Sequence, residues 1–260
     1  MIDLSENGVK VVANVVSTIL ATGTLSVFSW LILKSRFNSK FRQATRHFHI
    51  AEALQKERQY PQARDELVKT VELLGDERRE ILLGQAYLKL SDVSMSLKEW
   101  DKAIQYLILG REISKRSRHA AAEDVILQKL GKAYFASGKI EDALRCFEDA
   151  RRIEEGILDH PLLGETYARL GEVEARRQHS EMAISYYNRA LNCHEKIGDR
   201  RSVAASRVCL GDLNLQIEHP EQALSQYSSA REEFHELGDF PFVAMLDAKI
   251  AQIKNGAQPA

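Results

Sequence analysis

The sequence predicts an all-α chain in which about five helical hairpins and a C-terminal capping helix stack into a solenoid, preceded by one transmembrane helix. Three observations carry that prediction. Ala63, Ala103, Ala143, Ala183 and Ala223 recur at one spacing of 40 residues. Around the last three, Leu130-Gly131, Leu170-Gly171 and Leu210-Gly211 precede the alanine and Phe147, Tyr187 and Tyr227 follow it, each at a fixed offset. Far from these, Val11 to Leu33 holds no charged residue.

Residues 1–10 form a short N-terminal segment, and 11–33 read as the membrane helix. That run reaches about 34 Å as a helix, enough to cross a hydrocarbon core. A cleaved signal peptide fits less well, because no basic cluster leads the run and no small-x-small cleavage site follows Leu33. A buried first helix of the solenoid is the other alternative. Asp3, Glu6 and Lys10 precede the span, whereas Lys34, Arg36, Lys40, Arg42 and Arg46 follow it with no acid before Glu52. The excess of basic residues predicts a cytoplasmic C-terminal side and an outside N-terminus, in a bacterial inner membrane or a eukaryotic organelle membrane. The basic segment 34–43 should then lie against anionic headgroups.

Within the span Asn14, Thr18, Thr22 and Ser26 recur every fourth residue. Such a stripe suits packing against another helix, including a second copy in a homo-oligomer. Alternatively, the hydroxyls bond back to their own carbonyls and Asn14 sits near the outer interface.

Residues 44–240 hold the five repeats. Two antiparallel helices approach closely only where small residues leave room, so a Gly facing an Ala marks the crossing point of a hairpin. The Leu before the Gly and the aromatic after the Ala fill the space beside it. One hairpin cannot bury its own apolar face, whereas stacked copies share a core. The segment "LQKLGKAYFASGKIEDALRCFEDA" (127–150) and the two units after it carry the full pattern, ending on Ala150, Ala190 and Ala230. The first two units are worn: Ile50-Ala51 and Leu90-Ser91 replace Leu-Gly, and Leu67 and Leu107 replace the aromatic. Gly198-Asp199 and Gly238-Asp239 read as a helix end followed by a helix start. After Pro241, "FVAMLDAKIAQIKN" places Ile250-Ala251 in the Leu-Gly register, so 241–254 read as a lone capping helix and 255–260 as a disordered tail.

These residues resemble the tetratricopeptide repeat, whose pattern runs W-x2-L-G-x2-Y, then A-x3-F, then A and P. The 40-residue spacing is similar to the long form found in cell-polarity and receptor-clustering adaptors. The resemblance implies a right-handed superhelix, a protein or peptide ligand, and a concave groove lined by the first helix of each pair. The groove positions it implies are Lys89, Lys129 and Arg169, with Cys209 in the same register, just before each Leu-Gly or its worn counterpart, and Asp92, Lys132, Glu172 and Asp212 three residues further on. Two readings stay open: acids and cations pair into a nearly neutral groove, or Lys89, Lys129, Lys132 and Arg169 form a cationic strip for an acidic segment. Chaperone cofactors of the family hold a C-terminal carboxylate with Lys and Asn. Here the Asn positions carry acids and one Lys, which disfavours chaperone tails as ligands.

Composition narrows the function further. A net charge of −1 over 260 residues argues against nucleic acid as the main partner. Cys146, Cys193 and Cys209 lie in different repeats without metal or redox spacing, so they read as reduced structural residues. His47 and His49 point to different sides of a helix and find no third ligand. Phosphate loops, a nucleophile elbow and an H-E-x-x-H segment do not occur, so neither catalysis, a cofactor nor a metal is expected. The sequence thus predicts a membrane-anchored scaffold or adaptor that binds a protein partner in the cytosol. The alternative is an oligomeric membrane effector or channel-like assembly with a repeat sensor.

Overall fold

The computed structural model describes residues 27–75, 80–117, 120–157 and 160–256. Among them the chain is eleven α-helices: α1 (Val27–Lys56), α2 (Tyr60–Leu74), α3 (Glu80–Ser96), α4 (Trp100–Ser117), α5 (Ala120–Ala136), α6 (Ile140–Ile157), α7 (His160–Arg176), α8 (Ser180–Ile197), α9 (Arg200–Gln216), α10 (Pro220–Glu236) and α11 (Phe240–Gly256). The chain divides into two compact units, one ending at Val93 and one starting at Ser94.

In the first unit α1 and α2 pack as a hairpin through buried Ala44, Phe48, Ala51, Ala63 and Leu67. Thr70 occupies the register of the later alanines. Its buried hydroxyl lies 2.9 Å from the Glu66 carbonyl and 3.4 Å from that of Ala44, which satisfies a polar group that would otherwise cost stability in the core. The helix α1 is continuous through the basic segment 34–43. Most of the predicted membrane span, including Asn14, Thr18, Thr22 and Ser26, lies outside the described residues. Among the described residues no helix is long and apolar enough to cross a membrane.

In the second unit the helices pair as α5 with α6, α7 with α8 and α9 with α10. Each hairpin then packs its second helix on the next first helix, ending at α11. The crossing points are as tight as the glycines suggest. A Cβ on Gly131 would meet the Phe147 ring at 2.5 Å, one on Gly171 the Tyr187 ring at 2.8 Å, and one on Gly211 the Tyr227 ring at 2.5 Å. A real Cβ does not sit at such distances, so any larger residue there must displace the aromatic ring. At the worn units Ala51 and Ser91 are buried in the glycine register, and Leu67 and Leu107 in the aromatic one. In the α1–α2 hairpin Ala51, larger than Gly, thus accompanies Leu67, smaller than an aromatic, as close packing demands.

The turn inside each hairpin recurs at the same spacing. Arg58, Lys98, Gly138, Gln178 and Glu218 all have positive φ, between 59° and 80°. At each, the backbone N–H of that residue bonds to the carbonyl three residues back, and the next N–H to the carbonyl five residues before it. That double bond pattern closes a helix C-terminus through one left-handed residue. Only Gly138 adopts this conformation without steric cost. Between hairpins, Gly198 and Gly238 repeat the pattern, and the Asp199 carboxylate caps α9 by accepting from the Ser202 N–H at 3.1 Å.

Candidate functional site

The first helices α7 and α9 leave a cleft between them whose floor is α8. One face of α7 supplies Pro161, Glu165, Ala168, Arg169 and Glu172, because residues three, four and seven apart share a helix face. The α9 wall supplies Ser202, Ala205, Ser206 and Cys209, and buried Tyr187 and His194 rise from α8. The cleft encloses about 630 Å³. A second cleft of about 490 Å³ follows between α9 and α11, lined by Asp212, Leu215, Tyr227, Lys249 and Ile253.

Charge along these walls alternates and is paired. Lys132 of α5 donates to Glu165 at 2.8 Å, Arg169 reaches Glu165 at 3.7 Å, and the same guanidinium donates to Glu172 at 3.0 Å. Burial pushes the Glu165 carboxyl up, but the Lys132 bond and the Arg169 charge outweigh it, so the group stays below the usual carboxylate range. Lys249 donates to Asp212 and stands 5.2 Å over the Tyr227 ring, whose hydroxyl also donates to Asp212. The floor is polar but uncharged. Burial holds the Tyr187 hydroxyl well above its ordinary value, raises the Cys209 thiol of the α9 wall, and holds His194 below its own value despite Asp199 and Glu165 nearby. Gly164 makes room for His194, since a Cβ there would stand 2.7 Å from the ring.

In the first unit Lys89 of α3 pairs with Glu52 of α1 at 3.3 Å, and His49 with Glu52 at 3.2 Å. Asp92 and Lys129 are half-buried on α3 and α5. Of the seven groove positions named from the sequence, the structure joins Lys132, Arg169 and Glu172 in one charge ladder through Glu165. Glu172 and Asp212 fall in different clefts. Sequence reasoning missed Glu165, Tyr187, His194, Tyr227 and Lys249. Glu165 sits one helical turn before Arg169, so extending the groove face by four residues would have found it.

Comparison with known proteins follows the same fold. A kinesin light chain-related protein 3 from Arabidopsis thaliana is 29% identical over 117 residues, 43% of this chain and 18% of that protein. A signal-transduction ATPase with numerous domains and a tetratricopeptide repeat sensor, from Pyrococcus horikoshii, matches with a TM-score of 0.71 and 18% identity, over 96% of this chain and 38% of that one. The Rap conjugation gene regulator of plasmid pLS20, solved in complex with the Phr* peptide, matches with a TM-score of 0.60 and 18% identity, over 82% and 58%. At these identities the two structures share a fold with this chain, which spans less than two thirds of each of the three proteins. The tetratricopeptide repeat profile matches residues 82–155, 126–196 and 162–232, together more than half of the sequence. The chain belongs to the tetratricopeptide repeat family.

Proposed function

We infer that the chain is a scaffold that holds an extended or helical protein segment in the clefts lined by α7, α9 and α11, with residues 11–33 tethering it to a membrane and the repeats in the cytoplasm. The observation that carries the binding reading is the α7–α9 cleft: a concave surface with buried Tyr187 and His194 on its floor and half-buried ion pairs on its walls. A pre-formed concavity that places polar groups around a bound segment is what a ligand site needs. The Rap regulator offers a parallel, since that protein of the same fold was solved with a peptide.

Because the wall charges are paired, an acidic ligand gains only by exchanging partners with Lys132 and Arg169. Exposed pairs are weak, about 0–1 kcal/mol each, so such an exchange is cheap. Reversing Lys132 and Arg169 to Glu should abolish capture of the partner from a membrane extract while circular dichroism still reports a helical fold. Unchanged capture refutes the groove assignment. For the tether, the chain should resist alkaline extraction from membranes, and deletion of 11–33 should release it.

The polar stripe Asn14, Thr18, Thr22 and Ser26 favours a second reading, in which the spans self-associate. Crosslinking in native membranes tests it: oligomers lost on Thr18→Leu with Thr22→Leu support it, and an unaltered monomer ladder rejects it.

A further inference from the structure

One register of the first helices breaks at the α7–α9 cleft. Lys89, Lys129, Arg169 and Lys249 share it in steps of 40 residues, and Cys209 takes the place between Arg169 and Lys249. Cations of this register bridge to an acid on the preceding first helix. Lys89 of α3 reaches Glu52 of α1 at 3.3 Å, and Lys249 of α11 donates to Asp212 of α9. The equivalent acid on α7 is Glu172, and the residue that α9 sets against it is Cys209, near enough for the Glu172 charge to help raise the thiol. The α9–α11 contact shows what such a place holds. Lys249 meets the Asp212 carboxylate and also stands 5.2 Å over the Tyr227 ring. Tyr187 lies 40 residues before Tyr227, and its ring packs on Gly171 as that of Tyr227 packs on Gly211. Tyr227 is 0% exposed beneath Lys249, whereas Tyr187 keeps 6% and lines the cleft with Glu172. Both places therefore offer a carboxylate and an aromatic ring, and at the cleft Cys209 brings a thiol where Lys249 brings an ammonium.

We propose that the segment bound in the α7–α9 cleft carries a lysine or arginine whose cationic head seats against Glu172 and the Tyr187 ring, making the bridge to α7 that Cys209 cannot make. The charge of the cleft favours such a group. Glu165, Glu172 and Asp199 line it against Arg169, with Lys132 reaching Glu165 from α5, so carboxylates outnumber cations. Arg169 donates to Oε2 of Glu172, and a carboxylate has room for further donors. His194 adds a buried Nδ1 that has no hydrogen-bond partner. This proposal rests on the cleft being the binding site and adds one element of specificity: a basic residue in the segment, beside any acid that it presents to Lys132 and Arg169. A half-exposed ion pair and a cation–aromatic contact are each modest, and together they change affinity about tenfold.

A random peptide library displayed on phage and selected on the full-length chain in detergent micelles tests this. The selected peptides should share a basic residue at one position. Replacing that residue by norleucine should weaken binding to the wild type about tenfold, and should change binding little in Glu172→Gln, which lacks the carboxylate, or in Cys209→Lys, which brings its own ammonium. The register already carries lysine at 89, 129 and 249, so Cys209→Lys suits the fold and decides the matter if Glu172→Gln does not fold. Peptides that lose binding when Lys132 and Arg169 are reversed to Glu, yet bind as well with norleucine, overturn this proposal and leave the cleft reading standing. An equal norleucine loss in the wild type and Cys209→Lys also overturns it. If no peptide is selected, or those selected ignore the Lys132 and Arg169 reversals, the cleft reading fails and this proposal fails with it.

Discussion

Gly211→Ala would place a methyl group 2.5 Å from Cε1 of Tyr227, 2.7 Å from Cδ1 and 3.0 Å from Cζ. The ring has no cheap retreat. It is fully buried among Ala204, Ala223, Ala230, Phe234, Val243 and Leu246, and its hydroxyl is tied to Asp212. Overpacking of this kind costs about 1–3 kcal/mol. Against that, replacing Gly by Ala inside a helix returns about 1 kcal/mol, so the single substitution is a mixed measurement. A double-mutant cycle with Tyr227→Leu separates the two, because the helix gain is common to both backgrounds and cancels. With Tyr227 present, Gly211→Ala should be neutral to destabilising by about 2 kcal/mol; in the Tyr227→Leu background it should stabilise by about 1 kcal/mol. The coupling is then about 1–3 kcal/mol, read from urea melts followed by circular dichroism. Precedent lies in the first hairpin, where buried Ala51 stands in the glycine register and buried Leu67 in the aromatic one. If Gly211→Ala costs the same in both backgrounds within about 0.5 kcal/mol, the size match at the crossing is not what fixes these residues.

The hairpin turns give a pair of opposite sign. Gln178→Gly relieves a left-handed residue with φ of 65° and should raise stability by about 1 kcal/mol, while Gly138→Gln at φ of 80° should lower it by as much, both read from the same melts. Burial at the α8 floor depresses His194 below its ordinary 6.5. As pH falls through that value the unfolded chain takes up a proton before the folded one does, so the native state loses stability. Thermal melts of wild type against His194→Gln should show that acid-side loss shrinking in the variant, and parallel curves would count against a buried neutral imidazole.

What the sequence disclosed depended on whether a residue type carries its own geometric signature. The glycine, alanine and aromatic register named the crossing points because only those sizes fit there. The Gly-Asp junctions named helix ends because Gly takes positive φ and Asp caps. Arg58, Lys98, Gln178 and Glu218 gave no such sign, since nothing in a Lys or Gln advertises a left-handed backbone; only the spacing from Gly138 points to them. The groove charges were legible as positions and illegible as pairs. Lys132 and Glu165 are 33 residues apart in sequence, and their contact exists only because adjacent first helices lie side by side.

One further register carries more chemistry than the glycines do. Leu74, Ser114, Glu154, His194 and Phe234 stand 40 residues apart, and all five are buried. Each continues the apolar face of a second helix that Ala63, Leu67 and Thr70, or Ala143, Phe147 and Ala150, begin. An acid and an imidazole on that face are buried groups that hydrogen bonds or a changed protonation state must accommodate. The chain meets the demand locally, with Gln128 and Thr166 around Glu154 and with bare Gly164 against His194. Apolar residues at the two ends of this series and polar ones in the middle concentrate the titratable groups where second helices meet the next first helix. The His194 end of that series is also the floor of the α7–α9 cleft. A ligand seated there would therefore rest on a side chain whose charge state already depends on how tightly the neighbouring hairpins close.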